Sequence, residues 1–158
     1  MALYLIRCAR AERRALWKGP DELRPLTDAG RAQAAALVDW LGNVAVSHVA
    51  SSPFARCVET VRPLAEAHDL EVEQLDSLAP TKDVEPILAW LRVIPDSSVL
   101  CSHGAVLARV MEILTRQGAE LEGPADWRKG AIWVLERTGS KVLRASTVPP
   151  GGELRMVP

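Results

Sequence analysis

The residues best suited to chemistry stand at three places where short patterned runs break off. The first run, Leu3-Tyr4-Leu5-Ile6, ends in Arg7-Cys8-Ala9. The last, Val99-Leu100-Cys101-Ser102, ends in His103-Gly104. Between them, Ser51-Ser52-Pro53-Phe54-Ala55-Arg56-Cys57-Val58-Glu59-Thr60 opens a helical pattern. A guanidinium presents a planar fork of donors that matches phosphate oxygens in pairs. Arg56, in the first turn of a helix, adds unpaired backbone N–H groups and a partial positive charge. His103, at a strand-to-helix junction, can donate to the same oxygens. Arg7, Arg56 and His103 together make a receptor for a phosphoryl group. Beside those cations Cys8 has the setting that lowers a thiol's pKa and makes it a nucleophile.

The three places converge only if the chain between them folds into parallel strands. Leu3 to Arg7 is nearly all apolar and ends in a charge, as a buried parallel strand does where it meets a site. Ser47 to Ser51 and Ser98 to Ser102 read as further buried strands, and Glu71 to Leu75 as an edge strand. Thr27 or Asp28 caps a helix to about Leu41, which Gly42 stops. Pro53 starts a helix through Phe54, Cys57, Val58, Val61, Leu64 and Ala65. Asp83 to Leu91 and Gly104 to Arg116 repeat the helical spacing. Gly130 to Arg137 and Val142 to Thr147 form the last strands around a Thr138-Gly139-Ser140 turn, before the breaker Pro149-Pro150-Gly151-Gly152. Ala9 to Pro25 is polar and irregular, with a Gly19-Pro20-Asp21 turn. Strands alternating with helices predict a three-layer α/β/α fold, with a largely parallel central sheet flanked by helices. Sites in such sheets lie beyond the C-terminal strand ends, where Arg7, Cys8 and His103 stand.

Composition narrows the function. The 158 residues fit one domain, residues 1–158, and the formal net charge of -1 offers no global field for duplex nucleic acid or anionic lipid. Anion affinity must come from a local cluster. No apolar run approaches a membrane span, and no signal-peptide pattern opens the chain. Three cysteines without metal-ligand spacing point to reduced thiols in a cytoplasm, with Cys57 and Cys101 as core residues and no metal or cofactor. A bond between Cys8 and either of them is the less expected arrangement. His48 and His68 read as structural or exposed.

The three motifs, in this order, resemble the histidine phosphatase superfamily (phosphoglycerate-mutase-like). The likeness is nearest to its small phosphohistidine-phosphatase-like branch, and nearer still to the C-terminal domain of actinobacterial Nudix-fused hydrolases. Arg24-Pro25-Leu26-Thr27, Gly30-Arg31-Ala32-Gln33-Ala34 and Trp127-Arg128-Lys129-Gly130-Ala131-Ile132-Trp133-Val134-Leu135 resemble that domain. They suggest Lys129 as a further phosphate-binding cation. The family's first motif is Arg-His-Gly or Arg-His-Ala, and its His is the phosphorylated nucleophile. Here Cys8 holds that position. The resemblance implies that Arg7, Arg56 and His103 keep their binding roles, His103 a catalytic one as well. An imidazole reaches further from the backbone than a sulfur on Cβ, and a shift of about 1 Å at a reacting centre can cost roughly a hundredfold in rate. Impaired or altered chemistry follows, through a phosphocysteine if the chain is active. Asp83 and Glu85 are the candidate general acids, although helix-dipole complementation in a first helical turn is their favoured role.

The expected function is a phosphohydrolase-type protein acting on phosphohistidine or a phosphate ester. Its partner would be a phosphorylated small molecule or a phosphoprotein. The alternatives are a non-catalytic phosphate-binding module and a nucleotide or dinucleoside-polyphosphate hydrolase.

Overall fold

The computed structural model describes residues 1–150. Among them run β1 (Ala2–Arg7), α1 (Asp28–Trp40), β2 (His48–Ser51), α2 (Ala55–Ala67), β3 (Val72–Gln74) and α3 (Glu85–Leu91). There follow β4 (Ser98–Ser102), α4 (Gly104–Arg116), β5 (Glu120–Glu122), β6 (Ile132–Thr138) and β7 (Lys141–Val148). The strands form one sheet in the order β3-β2-β4-β1-β6-β7-β5. β1, β2, β3 and β4 pair in parallel. β6 runs antiparallel to both β1 and β7, and β5 lies parallel to β7. Among the described strands β6 alone is therefore reversed, and the sheet is largely parallel.

Period-two alternation along β1 divides the core in two. Leu3 and Leu5 point to one face, where they meet Ile87, Leu88 and Leu91 of α3 and Val106, Leu107 and Val110 of α4. Tyr4 and Ile6 point to the other, against Leu37 of α1 and Val61, Leu64 and Ala65 of α2. Each strand of the middle buries both faces, which is why their sequences read as unbroken apolar runs.

The helices begin where local chemistry dictates. Thr27 caps α1, its hydroxyl accepting from the Gly30 N–H at 3.1 Å. α2 starts at Ala55, with Phe54 at the cap, so Pro53 lies one residue before the cap rather than at the first helical position. α4 has the bounds its spacing predicts. Two elements differ from the sequence reading. β5 is a three-residue edge strand, exposed throughout, with no apolar alternation to betray it. The stretch between β1 and α1 is not merely irregular. It holds a short 3₁₀ turn at Asp21–Leu23, an Ala11–Leu26 bridge, and buried Ala9, Ala11 and Arg24. Of the breaker, Gly151 and Gly152 lie outside the described residues.

Candidate active site

The C-terminal ends of β1, β2 and β4 lie side by side, since Ile6 pairs with Cys101, Arg7 with Ser102 and Ser51 with Cys101. Each end feeds directly into a loop or a helix N-terminus. This brings Arg7, Cys8, Arg56 and His103 around one cavity of about 360 Å³. Arg13, Arg14, Arg24 and Lys129 line it too. Among the described residues, six cationic side chains thus face one cavity in a chain whose net charge is -1. Lys129 falls inside the cationic field: burial first, then the charges of Arg7 and Arg24, lower its pKa. Gln33 fixes that loop, accepting from the Arg10 N–H at 2.9 Å and donating to the Lys129 carbonyl at 3.0 Å.

Each cation at the centre is held by partners of its own. Arg7 donates to the carbonyl of Trp127, whose ring packs on Trp133 at 4.7 Å. Its guanidinium lies against Gly104, where an added Cβ would come within 2.7 Å of Nε. A glycine at the start of α4 is what lets Arg7 approach so closely. Arg56 donates to the Asp21 carbonyl at 2.9 Å and to its carboxylate at 3.1 Å, and stacks over Phe54 at 4.9 Å. Half-buried His103 meets the Ser52 hydroxyl through Nε2 at 2.9 Å and Arg56 through Nδ1 at 3.5 Å. Since Arg56 can only donate, Nδ1 is assigned as the acceptor and Nε2–H as the donor to Ser52. Burial, followed by the Arg56 charge, lowers the His103 pKa to about 4. The ring is neutral at neutral pH.

Two partners were missed in the sequence. Ser52 orients His103. Asp21 binds Arg24 at 2.9 Å and Arg56 at 3.1 Å and lies 3.5 Å from Arg14. Burial pulls the Asp21 pKa up, but the bond from Arg24 and the charges of Arg56 and Arg24 outweigh it, and the carboxyl stays below its usual range. Only the Gly19-Pro20-Asp21 turn signal marked this residue. Asp83 and Glu85 do not line the cavity. Both are exposed, and the Asp83 carboxylate accepts from the Glu85 N–H at 3.1 Å, at the start of α3. Trp17 is likewise outside the lining and donates to the Pro20 carbonyl at 2.9 Å.

Cys8 is not the reduced thiol expected from the sequence. It forms a disulfide with Cys57. The two stand 49 positions apart in the chain, but β2 leads straight into α2, and this lays the first turn of α2 over the end of β1. The Cα atoms stand 4.8 Å apart, within the range a disulfide spans. Reasoning from compartment had no access to this distance. The three sulfurs lie within 4.8 Å of one another, and Cys101 remains a free, fully buried thiol whose pKa burial pushes up.

The family description for the histidine phosphatase superfamily (branch 1) matches residues 3–81, which take in both Arg7-Cys8 and the Arg56 motif. This chain belongs to that superfamily. A curated relative, the 8-oxo-(d)GTP phosphatase of Mycolicibacterium smegmatis, is 29% identical over 157 residues. The match takes in 96% of this chain and 49% of that protein, so the chain spans about half the relative's length. The protein histidine phosphatase SixA, solved with tungstate, superposes with a TM-score of 0.72 at 23% identity, over 94% of this chain and 95% of that one. A mycobacterial glucosyl-3-phosphoglycerate phosphatase does so with a TM-score of 0.61 at 16% identity, over 96% and 99%. These likenesses establish the three-layer fold.

Proposed function

We propose that this protein binds the phosphoryl group of a phosphohistidine or phosphate ester in the cavity beyond β1, β2 and β4, and that hydrolysis there is impaired because residue 8 is a cysteine engaged with Cys57. The observation that carries this reading is the concentration of six cations around one cavity in a nearly neutral chain. Arg7 and Arg56 offer the paired donors for the equatorial oxygens, and Lys129 adds a point charge. His103, neutral and anchored by Ser52, would gain a proton or turn its donor toward the ligand. A sulfur already bonded to Cys57 carries no thiolate charge and is a poor nucleophile toward phosphorus. The tungstate held by SixA is the same class of ligand, a tetrahedral oxyanion.

Asp21 is the carboxylate paired with Arg24 and Arg56 of the cavity, but it does not suit the general acid's task. A group that protonates a leaving oxygen needs a pKa near the working pH, and Asp21 is held low. Substrates whose leaving group departs without strong acid help, such as phosphohistidine or an aryl phosphate, fit better. A second reading is favoured by the relative from M. smegmatis: Arg13 and Arg14 at the rim could take the further phosphates of a nucleotide.

Binding is tested by thermal unfolding with sulfate or phosphate. A ligand of the native state at a hundred times its Kd adds about 2.7 kcal/mol. For a chain of this size that raises Tm by about 5–10 °C. Arg56→Ala should remove most of the rise. A melting curve that sulfate and phosphate leave unmoved would overturn the pocket assignment.

A further inference from the structure

We infer that the Cys8–Cys57 bond is a redox-active site open to the cationic cavity, and that its exchange partner is an anionic low-molecular-weight thiol. Three observations place it there. Cys8 is 6% exposed and lines the cavity, while Cys57 and Cys101 are 0% exposed. A reagent entering the cavity therefore meets Cys8 before Cys57. Cys57 lies in the first turn of α2, with its Sγ 3.7 Å from His103 Nε2. The partial positive charge of the helix N-terminus favours a thiolate at Cys57, which makes Cys57 the sulfur that leaves. Finally, the six cations that line the cavity attract an anion and repel a cation, and a cleft of one sign raises encounter rates roughly 10–1,000-fold.

The exchange balances with two equivalents of the thiol. A thiolate RS⁻ attacks Cys8 Sγ; the new S–S bond forms as the Cys8–Cys57 bond breaks, and its electron pair departs on Cys57 Sγ. A second RS⁻ attacks the R-side sulfur of the mixed disulfide. RSSR leaves, and Cys8 is released as a thiolate among Arg7, Arg56 and Lys129. Two thiols are oxidised to one disulfide and the protein bond is reduced to two thiols; the reverse reaction, with RSSR as oxidant, closes it again. Cys101, fully buried with its pKa raised, stays protonated and takes no part. Reduction also places a negative charge on the cavity floor, so the dithiol form should bind an oxyanion more weakly than the disulfide form. Linkage then requires an oxyanion to favour the disulfide by the same factor. This last step, and no other, rests on the proposed phosphate pocket.

The test is native-state thiol exchange on the full chain. Glutathione and cysteamine are compared at equal thiolate concentration without denaturant, with alkylation and peptide mass spectrometry as the readout. Glutathione carries net negative charge, whereas the ammonium of cysteamine cancels its thiolate. Glutathione should open the bond at least about tenfold faster, with the advantage shrinking in high salt. Oxidised glutathione should load Cys57→Ser at Cys8, and Cys8→Ser should leave Cys57 unmodified. A bond that yields only in denaturant, equal rates for the two thiols, or glutathione found on Cys57 would each overturn the inference. The wild-type comparison stands even if neither variant folds. Sulfate should slow exchange and shift the glutathione equilibrium toward the disulfide. If the glutathione advantage persists but sulfate has no effect, the oxyanion pocket is lost and the redox site is retained.

Discussion

Asp21→Asn should make the protein bind oxyanions more tightly, although it removes a partner from three arginines. Asp21 sits among Arg14, Arg24 and Arg56 as a built-in anion, and any sulfate that uses Arg56 must accept its charge as a neighbour. Taking the two anions as one guanidinium apart, about 7 Å, the Asp21 charge against the two charges of sulfate costs about 4.7 kcal/mol at an effective dielectric of 20 and about 1.2 at 80. Asp21 is partly exposed, so a value of about 1–2 kcal/mol is reasonable, or roughly a five- to thirtyfold gain in affinity. The opposing effect is loss of arginine positioning, and it is smaller. Arg56 keeps its 2.9 Å bond to the backbone carbonyl of residue 21, Arg24 keeps its 2.6 Å bond to the Glu12 carbonyl, and the asparagine oxygen can still accept one donor. Titration calorimetry with sulfate is the assay, since sulfate stays dianionic across the working range. The gain should hold from pH 5 to 8, because the lowered pKa keeps Asp21 ionised throughout, and should shrink with added salt. Weaker binding by Asp21→Asn would show that positioning outweighs repulsion. Unchanged binding would show that the anion does not use Arg56, and either result refutes the reasoning.

Gly104→Ala should weaken sulfate binding about tenfold with little change in the circular dichroism spectrum, because the new Cβ displaces the Arg7 guanidinium and costs one charge-assisted contact. Cys8→His should raise turnover of phosphohistidine or an aryl phosphate more than tenfold above the present chain, since orientation and charge stabilisation are already in place. Silence on both substrates and on nucleotides would favour the non-catalytic binding module. His103 imposes an acid limit: its native pKa of about 4 lies below the ordinary 6.5, so the unfolded chain binds a proton first. Stability should fall as pH drops from about 6.5 to about 4 and lose this dependence below that, and denaturant titrations of His103→Gln should show a flatter profile over the same window.

What could be read in the sequence and what could not divide along a physical line. Periodicity is local, so α4 and β4 were legible to the residue and α2 nearly so. A largely parallel sheet followed from strands separated by helices, and with it the meeting of Arg7, Arg56 and His103 at the strand ends, but the strand order did not. β5 carried no signal because no residue of it is buried. The Cys8–Cys57 bond and the Asp21 cluster depend on distances that arise only after β1, β2 and β4 pair. A lone acid in a turn and two cysteines 49 apart have no local signature of being neighbours. Asp83 and Glu85 were candidate acids whose favoured role, complementing the dipole of α3, was legible, but their place outside the cavity lining was not.

The receptor and the attacking atom are mechanically separate in this fold. Arg7 is held by Trp127 and by the space at Gly104, Arg56 by Asp21 and Phe54, and His103 by Ser52. None of those contacts passes through the sulfur of Cys8, which lies instead against Cys57 and 3.2 Å from the Ser102 carbonyl. A change at position 8 would therefore alter what the site does to a phosphoryl group without dismantling the proposed receptor for it. The same separation explains how one sulfur could carry a redox reaction in a cavity shaped for oxyanions. The cations proposed to orient phosphate oxygens would also stabilise a thiolate, and both roles draw on charge rather than on the identity of residue 8.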